Sequence, residues 1–360
     1  MMNIVIRTDA SVQIGSGHVM RCLMLAEELR EVGGNIIFIC REEAGNLRRF
    51  IENKGYPVKM IRHEIPHNDP NFDLQKADAE ATLNIINEID AEIDWLIVDH
   101  YSLDEDWESR IRPRVNRLMV IDDLANRRHE CDILLDQNFH VEPEMRYASL
   151  VPETCIKLLG PRYLLLRKEF IAEKRRLKPR DGTIRQIMIF YGGSDPTDET
   201  MKALRAVQEL PLSSIQVDFI VGQANTHKNE IRRICNDVPN FHYHCQIDNM
   251  AWFMAHSDLS LGAGGITMWE RCYLGVPTIA TVVADNQSDS TSAVAAMGAL
   301  WNMGWHANVT EQHLADMINR AIRSPQELIE MSKKALHLMD NDNDRQRNRV
   351  VEELIRRSRA

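Results

Sequence analysis

Three glycine-rich stretches of this chain have the residue types that bring a backbone close to a small ligand. The first is Ile14-Gly15-Ser16-Gly17-His18. Gly15 and Gly17 permit a tight turn and a close approach to a substrate. His18 follows at the start of an amphipathic helix, where an imidazole can act as a general base. A glycine-rich turn with a capping histidine would use the same residues structurally. A dinucleotide site fits poorly, because the third glycine of G-x-G-x-x-G is missing and Cys40-Arg41-Glu42-Glu43 is a poor acidic end to the second strand.

The second stretch is Tyr191-Gly192-Gly193-Ser194-Asp195-Pro196, equally readable as a turn or a site. The third is Gly262-Ala263-Gly264-Gly265-Ile266-Thr267-Met268-Trp269-Glu270. Here a strand runs through glycines into a helix, whose first amides would cradle phosphate oxygens. The Lys-Ser/Thr of a Walker loop is absent, which disfavours Mg²⁺-ATP hydrolysis. Glu270 can accept both hydroxyls of a ribose, or it can be a helix-start carboxylate favoured by the helix dipole. Further polar groups follow apolar strands: Asp99-His100-Tyr101, Asp122-Asp123 with the polar residues of 127–138, and Asp285-Asn286-Gln287. Ligands of open parallel sheets bind at that end of the strands, so all could line one cleft. His242 and His244 face one way on a strand without a third ligand at metal spacing, and are expected to be structural. No motif calls for a metal or a cofactor.

The elements that must position these groups read as repeated βα units. Strands are expected at 3–7, 35–40, 95–99, 118–121 and 133–135, with helices at 18–31, 43–53, 73–88 and 104–112. The rhythm resumes with strands at 186–191, 215–221, 241–245, 258–261 and 278–283, and helices at 198–209, 228–236, 249–256, 266–273 and 288–297. Continuous apolar strands separated by helices imply parallel sheets covered on both faces. With 360 residues the chain exceeds what one core supports, so two doubly wound α/β domains follow. The boundary falls between about 152 and 182, where a charged stretch at 167–180 reads as a helix and linker. The expected domains are 1–160, carrying His18, and 161–360, carrying the later glycine loops and a charged helix within 341–360.

Composition narrows the class. Apolar residues make up 44% and charged residues 27%, which excludes a disulfide scaffold, wholesale disorder and a membrane bundle. Forty-three basic against 53 acidic side chains give a net charge of −10, which argues against nucleic acid as a partner. A locally basic pocket for a small anion stays open. The longest apolar run is too short to span a bilayer. The seven cysteines are scattered and never spaced C-x-x-C, as expected of reduced thiols in the cytoplasm.

Taken together, the runs RTDASVQIGSGHVMRCLMLA, VDHYSLDEDWE, IDDLANRRHECDILLDQN, GPRYLLLRKEF, YGGSDPTD and GAGGITMWERCYLGVPTIATVVADNQ resemble the GT-B class of nucleotide-sugar enzymes, and within it the UDP-sugar hydrolases of pseudaminic acid biosynthesis. They are spread in order over nearly the whole chain. A weaker similarity joins the second domain to the N-acetylglucosaminyltransferase that makes lipid II. The resemblance implies two Rossmann-like domains with a cleft between them. It also implies hydrolysis of a UDP-linked 2,4-diacetamido-2,4,6-trideoxy sugar of the altrose type, with inversion at the anomeric carbon. It assigns His18 as the base that activates water, with Tyr101 and Asn286 around the sugar. It places UDP near Gly192, Gly193 and Ser194, its diphosphate at Gly264, Gly265, Ile266 and Thr267, and its ribose on Glu270. Arg167 would touch a phosphate or be an exposed helix charge. The expected partner is thus the small UDP-sugar alone, with no nucleic acid, membrane or obligate protein partner. Because His18 and Glu270 fall in different domains, closure on the sugar after UDP binds is expected. The alternative is a glycosyltransferase of the same fold, with His18 deprotonating an acceptor hydroxyl. A lipid acceptor is disfavoured by the charged and polar stretches 62–76 and 88–94. A binding protein without turnover has no need of a base in the first loop.

Overall fold

The computed structural model describes residues 2–11, 13–62, 73–339 and 348–358. They form two units, each built on a parallel sheet. The first runs to Leu165 and includes the last helix. In chain order it contains β1 (Met2–Thr8), α1 (Gly17–Glu31), β2 (Gly34–Arg41), α2 (Arg48–Asn53), β3 (Val58–Ile61), α3 (Leu74–Asn87), β4 (Trp95–Asp99), α4 (Glu105–Ile111), β5 (Arg117–Ile121), β6 (Ile133–Asp136), α5 (Pro143–Arg146) and β7 (Ile156–Leu159). The second contains α6 (Lys168–Lys174), β8 (Gln186–Phe190), α7 (Glu199–Gln208), β9 (Gln216–Val221), α8 (Lys228–Asp237), β10 (Phe241–Cys245), α9 (Met250–His256), β11 (Leu259–Ala263), α10 (Ile266–Tyr273), β12 (Thr278–Val282), α11 (Ser288–Ala296), β13 (Trp301–Trp305), α12 (Glu311–Arg323) and α13 (Pro325–Leu338). A final helix, α14 (Arg349–Ser358), returns to the first unit.

Strand order is β3-β2-β1-β4-β5-β6-β7 in the first sheet and β10-β9-β8-β11-β12-β13 in the second. Every pairing is parallel. Central strands are mainly apolar because both faces are covered, with buried exceptions such as Arg7 on β1. On β4, Trp95 and Ile97 enter one core while Leu96 and Val98 enter the other. On β8, Ile187 and Ile189 pack on one side and Met188 on the opposite side. This alternation follows from the two-residue period of a strand.

In each sheet the order reverses once, between β1 and β4 and between β8 and β11. Such a switch point opens a crevice beyond the carboxyl ends of the strands. Thr8 pairs with Asp99 at the end of the first junction, and Phe190 with Gly262 near the end of the second. The three glycine stretches leave the sheets at these two junctions.

Three strands lie outside the sequence expectation: β3, β7 and β13. All are sheet edges. An edge strand needs less apolar surface, and VKMI, IKLL and WNMGW carry lysine, asparagine or glycine where a central strand would be apolar. Helices α12 and α13 were also unassigned from the sequence.

The placement of the C-terminal helix in the second domain is corrected. Val350, Val351 and Leu354 form one apolar face of α14, buried in the core that contains Ile4, Leu25 and Leu29. Ser358 Oγ accepts from Trp95 Nε1 at 2.7 Å, and Asn348 donates to Glu28 and to the Leu164 carbonyl. Most of the 62–76 stretch and parts of 341–360 lie outside the described residues.

Candidate active site

At the first switch point, α1 begins after a turn closed by the Gly15 amide on the Ser11 carbonyl at 2.8 Å. Gly17 is its first residue, and His18 comes next. His18 Nδ1 lies 2.6 Å from Oδ1 of the fully buried Asp99, the last residue of β4. Arg21, one turn after His18, clamps the same carboxylate with Nε on Oδ2 at 2.5 Å and Nη2 on Oδ1 at 2.6 Å. Its Nη1 reaches Asp123 at 3.1 Å. Burial raises the Asp99 pKa, but Arg21 and His18 outweigh it and hold the carboxyl well below its usual range. An ionised carboxylate only accepts, so Nδ1 carries the proton and donates to Asp99. The 3.2 Å approach of Arg21 Nη2 to Nδ1 is secondary to its 2.6 Å bond to Asp99. Nε2 is then the basic nitrogen of a ring whose orientation and tautomer are fixed, the logic of a His-Asp pair. The Tyr101 ring stands edge-on to His18, with centroids 4.4 Å apart.

The RTDAS run supports this corner from below. Arg7 is completely buried and bridges Asp9 and Asp78, and Arg41 adds a second guanidinium to Asp78. Trp107 Nε1 donates to Asp78 as well. The loop after β1 is thereby tied to α3, α4 and β2. On the far side, Arg127 pairs with Asp122, and the Tyr147 hydroxyl sits 3.1 Å from both Asp122 and Asp136.

The second switch point is built differently. Gly192 turns the chain after β8 at φ +108°, a conformation that favours glycine, and Gly193 and Ser194 are exposed. Asp195 accepts from the Glu199 and Thr200 amides at 3.1 and 2.8 Å and so holds the start of α7. After β11, Gly264 passes so close to α11 that a Cβ there would lie 2.0 Å from Thr291 Oγ1. The Gly264 amide is given to the Thr281 carbonyl at 3.2 Å. The donors left at the mouth of α10 are therefore those of Gly265, Ile266 and Thr267, since first-turn amides have no partner within a helix. Gly265 is its N-cap and supplies no side chain to them.

Glu270 is buried on α10, with Oε1 on Arg167 at 3.0 Å and Oε2 lacking a partner. Burial raises its pKa, with Arg167 partly opposing. Arg167 is found on Glu270 and on Glu169, at 2.7 Å from the latter. Asn286 lies in the exposed turn Asp285–Gln287 beyond β12, and the neighbouring Gln287 Oε1 accepts from the Val283 amide at 3.1 Å. His242 and His244 bond to Gln216 and Asp218 on the adjacent strand. Among the described residues, no three His, Cys, Asp or Glu side chains are grouped to hold a metal ion. No described helix is long and apolar enough to cross a membrane.

The sequence therefore brings His18 and Tyr101 together in one unit, and the loops 192–194 and 264–267 to one switch point in the other. The sequence marks Asp99 only as one of the polar groups that could line a cleft, not as the partner of His18, and does not single out Arg21. The available signal for Arg21 was its spacing of three from His18 on one helix face.

Comparison with known proteins fits this geometry. Residues 187–351 match the glycosyltransferase family 28 C-terminal domain. The fold is similar to that of MurG from Acinetobacter baumannii, with 99% of this chain and 100% of that one covered, a TM-score of 0.67 and 15% identity. Two parallel-sheet α/β units of this kind define the GT-B architecture.

The relatives in sequence are more specific. The chain is 27% identical over 299 residues to the UDP-2,4-diacetamido-2,4,6-trideoxy-beta-L-altropyranose hydrolase of Campylobacter jejuni, covering 82% of this chain and 97% of that protein. It is 23% identical to the spore coat polysaccharide biosynthesis protein SpsG of Bacillus subtilis, covering 94% of each. It is also 27% identical to an uncharacterized protein of Methanocaldococcus jannaschii over 77% of this chain, and spans 55% of the length of that protein.

Proposed function

We propose that the chain hydrolyses a UDP-linked 2,4-diacetamido-2,4,6-trideoxy sugar of the altrose type to free sugar and UDP, a step of pseudaminic acid biosynthesis. The observation that carries it is the His18–Asp99 pair at the switch point of the first unit, in a chain that aligns with 97% of the Campylobacter hydrolase. His18 Nε2 takes a proton from water as the water oxygen bonds to the anomeric carbon. The bond from that carbon to the departing oxygen breaks, and its electron pair leaves with UDP. Attack opposite the leaving group inverts the centre. Asp99, held by Arg21, stabilises the imidazolium that forms. General base catalysis of this kind contributes about 10²–10⁴-fold.

In this mechanism UDP is held by the second unit. The amides of Gly265, Ile266 and Thr267 meet the diphosphate, and the unpaired Glu270 Oε2 accepts from the ribose. Preorganised donors at a helix start can stabilise the departing anion without a metal or another cofactor. Such a leaving group also removes the need for the general acid of ordinary glycoside hydrolysis. Tyr101, against His18, and Asn286 are assigned to the sugar. The seven unpaired cysteines suit a reducing compartment such as the cytoplasm.

A second reading is a glycosyltransferase of the same fold, favoured by the family 28 match. His18 would then deprotonate an acceptor hydroxyl. Incubating the protein with a panel of UDP-sugars, with and without acceptor, separates the two. Equal UDP and free sugar released without acceptor supports hydrolysis, whereas UDP release only with acceptor supports transfer.

A further inference from the structure

Among the described residues of the second unit, one buried cation has no carboxylate in hydrogen-bond or ion-pair contact. Arg271, on α10, is 0% exposed. Its Nη2 donates to the Ala263 carbonyl at 2.5 Å, while Nε and Nη1 have no partner. The adjacent carboxylate, Glu270, is paired with Arg167 instead. Burial lowers the Arg271 pKa to about 10. A lone buried charge is costly, and arginines in protein interiors are normally matched by an acid.

The position of this guanidinium suggests what matches it. Ala263 is the last residue of β11, one residue before the Gly264-Gly265 turn that opens α10. A Cβ at position 262 would lie 2.2 Å from Arg271 Nη1. Gly262 is therefore required to admit the guanidinium behind the loop, while Gly264 accommodates Thr291. One glycine motif thus serves two close approaches within the protein. The amides of the next turn remain to meet a ligand in front.

We propose that Arg271 is a positioning residue for a nucleoside diphosphate, pinning Ala263 and leaving behind the glycine turn a positive charge whose counter-ion is the bound diphosphate. This rests on the reading of the second unit as the UDP-binding unit. Arg271 supports the loop and its field, while the amides of α10 make the contacts. The charge favours a phosphorylated ligand over the bare nucleoside, because only the former supplies the missing negative charge.

The test compares UDP and uridine by titration calorimetry on the whole chain. Arg271→Gln keeps a donor for Ala263 but removes the charge, and Arg271→Lys keeps the charge but removes the fork. Arg271→Met provides a second neutral variant should the glutamine one not fold. The expected result is that the neutral variant loses at least about tenfold in UDP affinity, little in uridine affinity, and that Lys retains more UDP binding than Gln. Equal losses for UDP and uridine, or no loss for either, would overturn the inference by making Arg271 a strut alone. A wild type that does not prefer UDP to uridine would overturn the nucleotide reading itself. A wild type that prefers UDP, with a neutral variant that keeps the preference, would overturn only the role of Arg271.

Discussion

The carboxylates at the first switch point are each paired with an arginine, with Thr8 Oγ1 and Asp123 Oδ1 as the buried exceptions, whereas at the second a carboxylate oxygen and most of a guanidinium lack partners. In the first unit Asp9, Asp78, Asp99 and Asp122 each bind an arginine, and Asp99 also fixes His18. In the second, Glu270 Oε2, Arg271 Nε and Nη1 and Thr291 Oγ1 are buried without hydrogen-bond partners. The carboxyl pKa values divide the same way. Burial raises them in both units, but the arginines of the first bring Asp9, Asp78 and Asp99 below their usual range, whereas Asp195, Glu199 and Glu270 in the second stay above it. A satisfied network holds a reacting group in one geometry, as catalysis requires. Unmet hydrogen-bonding capacity costs stability unless a ligand completes it. The contrast supports the proposal that chemistry belongs to the first unit and nucleotide binding to the second.

The largest effect should come from the reacting group. His18→Asn is expected to lower kcat by about 10²–10⁴-fold while leaving UDP affinity near wild type. Turnover close to wild type in that variant would remove His18 from the mechanism. Asp99→Asn should lower kcat too, and also stability, because buried Arg21 is left with Asp123 as its single acid. Steady-state kinetics with a thermal melt reads both.

Next comes the close approach behind the diphosphate loop. Gly264→Ala forces a Cβ onto Thr291 Oγ1, and should weaken UDP binding by about tenfold or more, in the range of overpacking costs of 1–3 kcal/mol. Removing the obstacle with Thr291→Ala should restore part of the loss, a coupling that a double-mutant cycle measures. Additive losses would mean that the loop is not set by this contact.

A smaller effect is expected at the ribose. Glu270→Ala should cost UDP several-fold in affinity, while 2′-deoxy-UDP should bind the wild type more weakly and lose little further in the variant. If both nucleotides lose equally, the carboxylate acts only through Arg167.

The weakest contrast is in acid stability. Depressed carboxyl pKa values stabilise the first unit above the ordinary carboxylate range, and that contribution is lost as pH falls through it and below. Raised values in the second unit work in the opposite sense: the charged form is penalised at neutral pH, and protonation relieves the penalty. Hydrogen exchange below about pH 4 should therefore release β1 and β4 before β8 and β11. The reverse order would contradict the charge assignment.

Most of the fold was legible because central strands and their loops are local signals. Apolar runs ending in glycine or carboxylate marked β1, β4, β8 and β11 and the motifs that leave them. The edge strands β3, β7 and β13 lack that apolar excess. The face formed by Val350, Val351 and Leu354 announces a buried helix without naming the core that receives it. The pairings were least visible. Asp99 meets Arg21 across 78 residues and Arg7 meets Asp78 across 71, and neither separation leaves a pattern in the chain. Nothing in the spacing of Arg271 on its helix marks it as buried.

The proposed role of His18 is to activate water for attack on the anomeric carbon. Its most direct test is to run the reaction in water enriched in the heavy oxygen isotope and to locate the label by mass spectrometry. One heavy oxygen is expected in the free sugar and none in UDP, with loss of that signal in His18→Asn. Label in the nucleotide phosphate, or unlabelled products formed only when an acceptor is added, would contradict it.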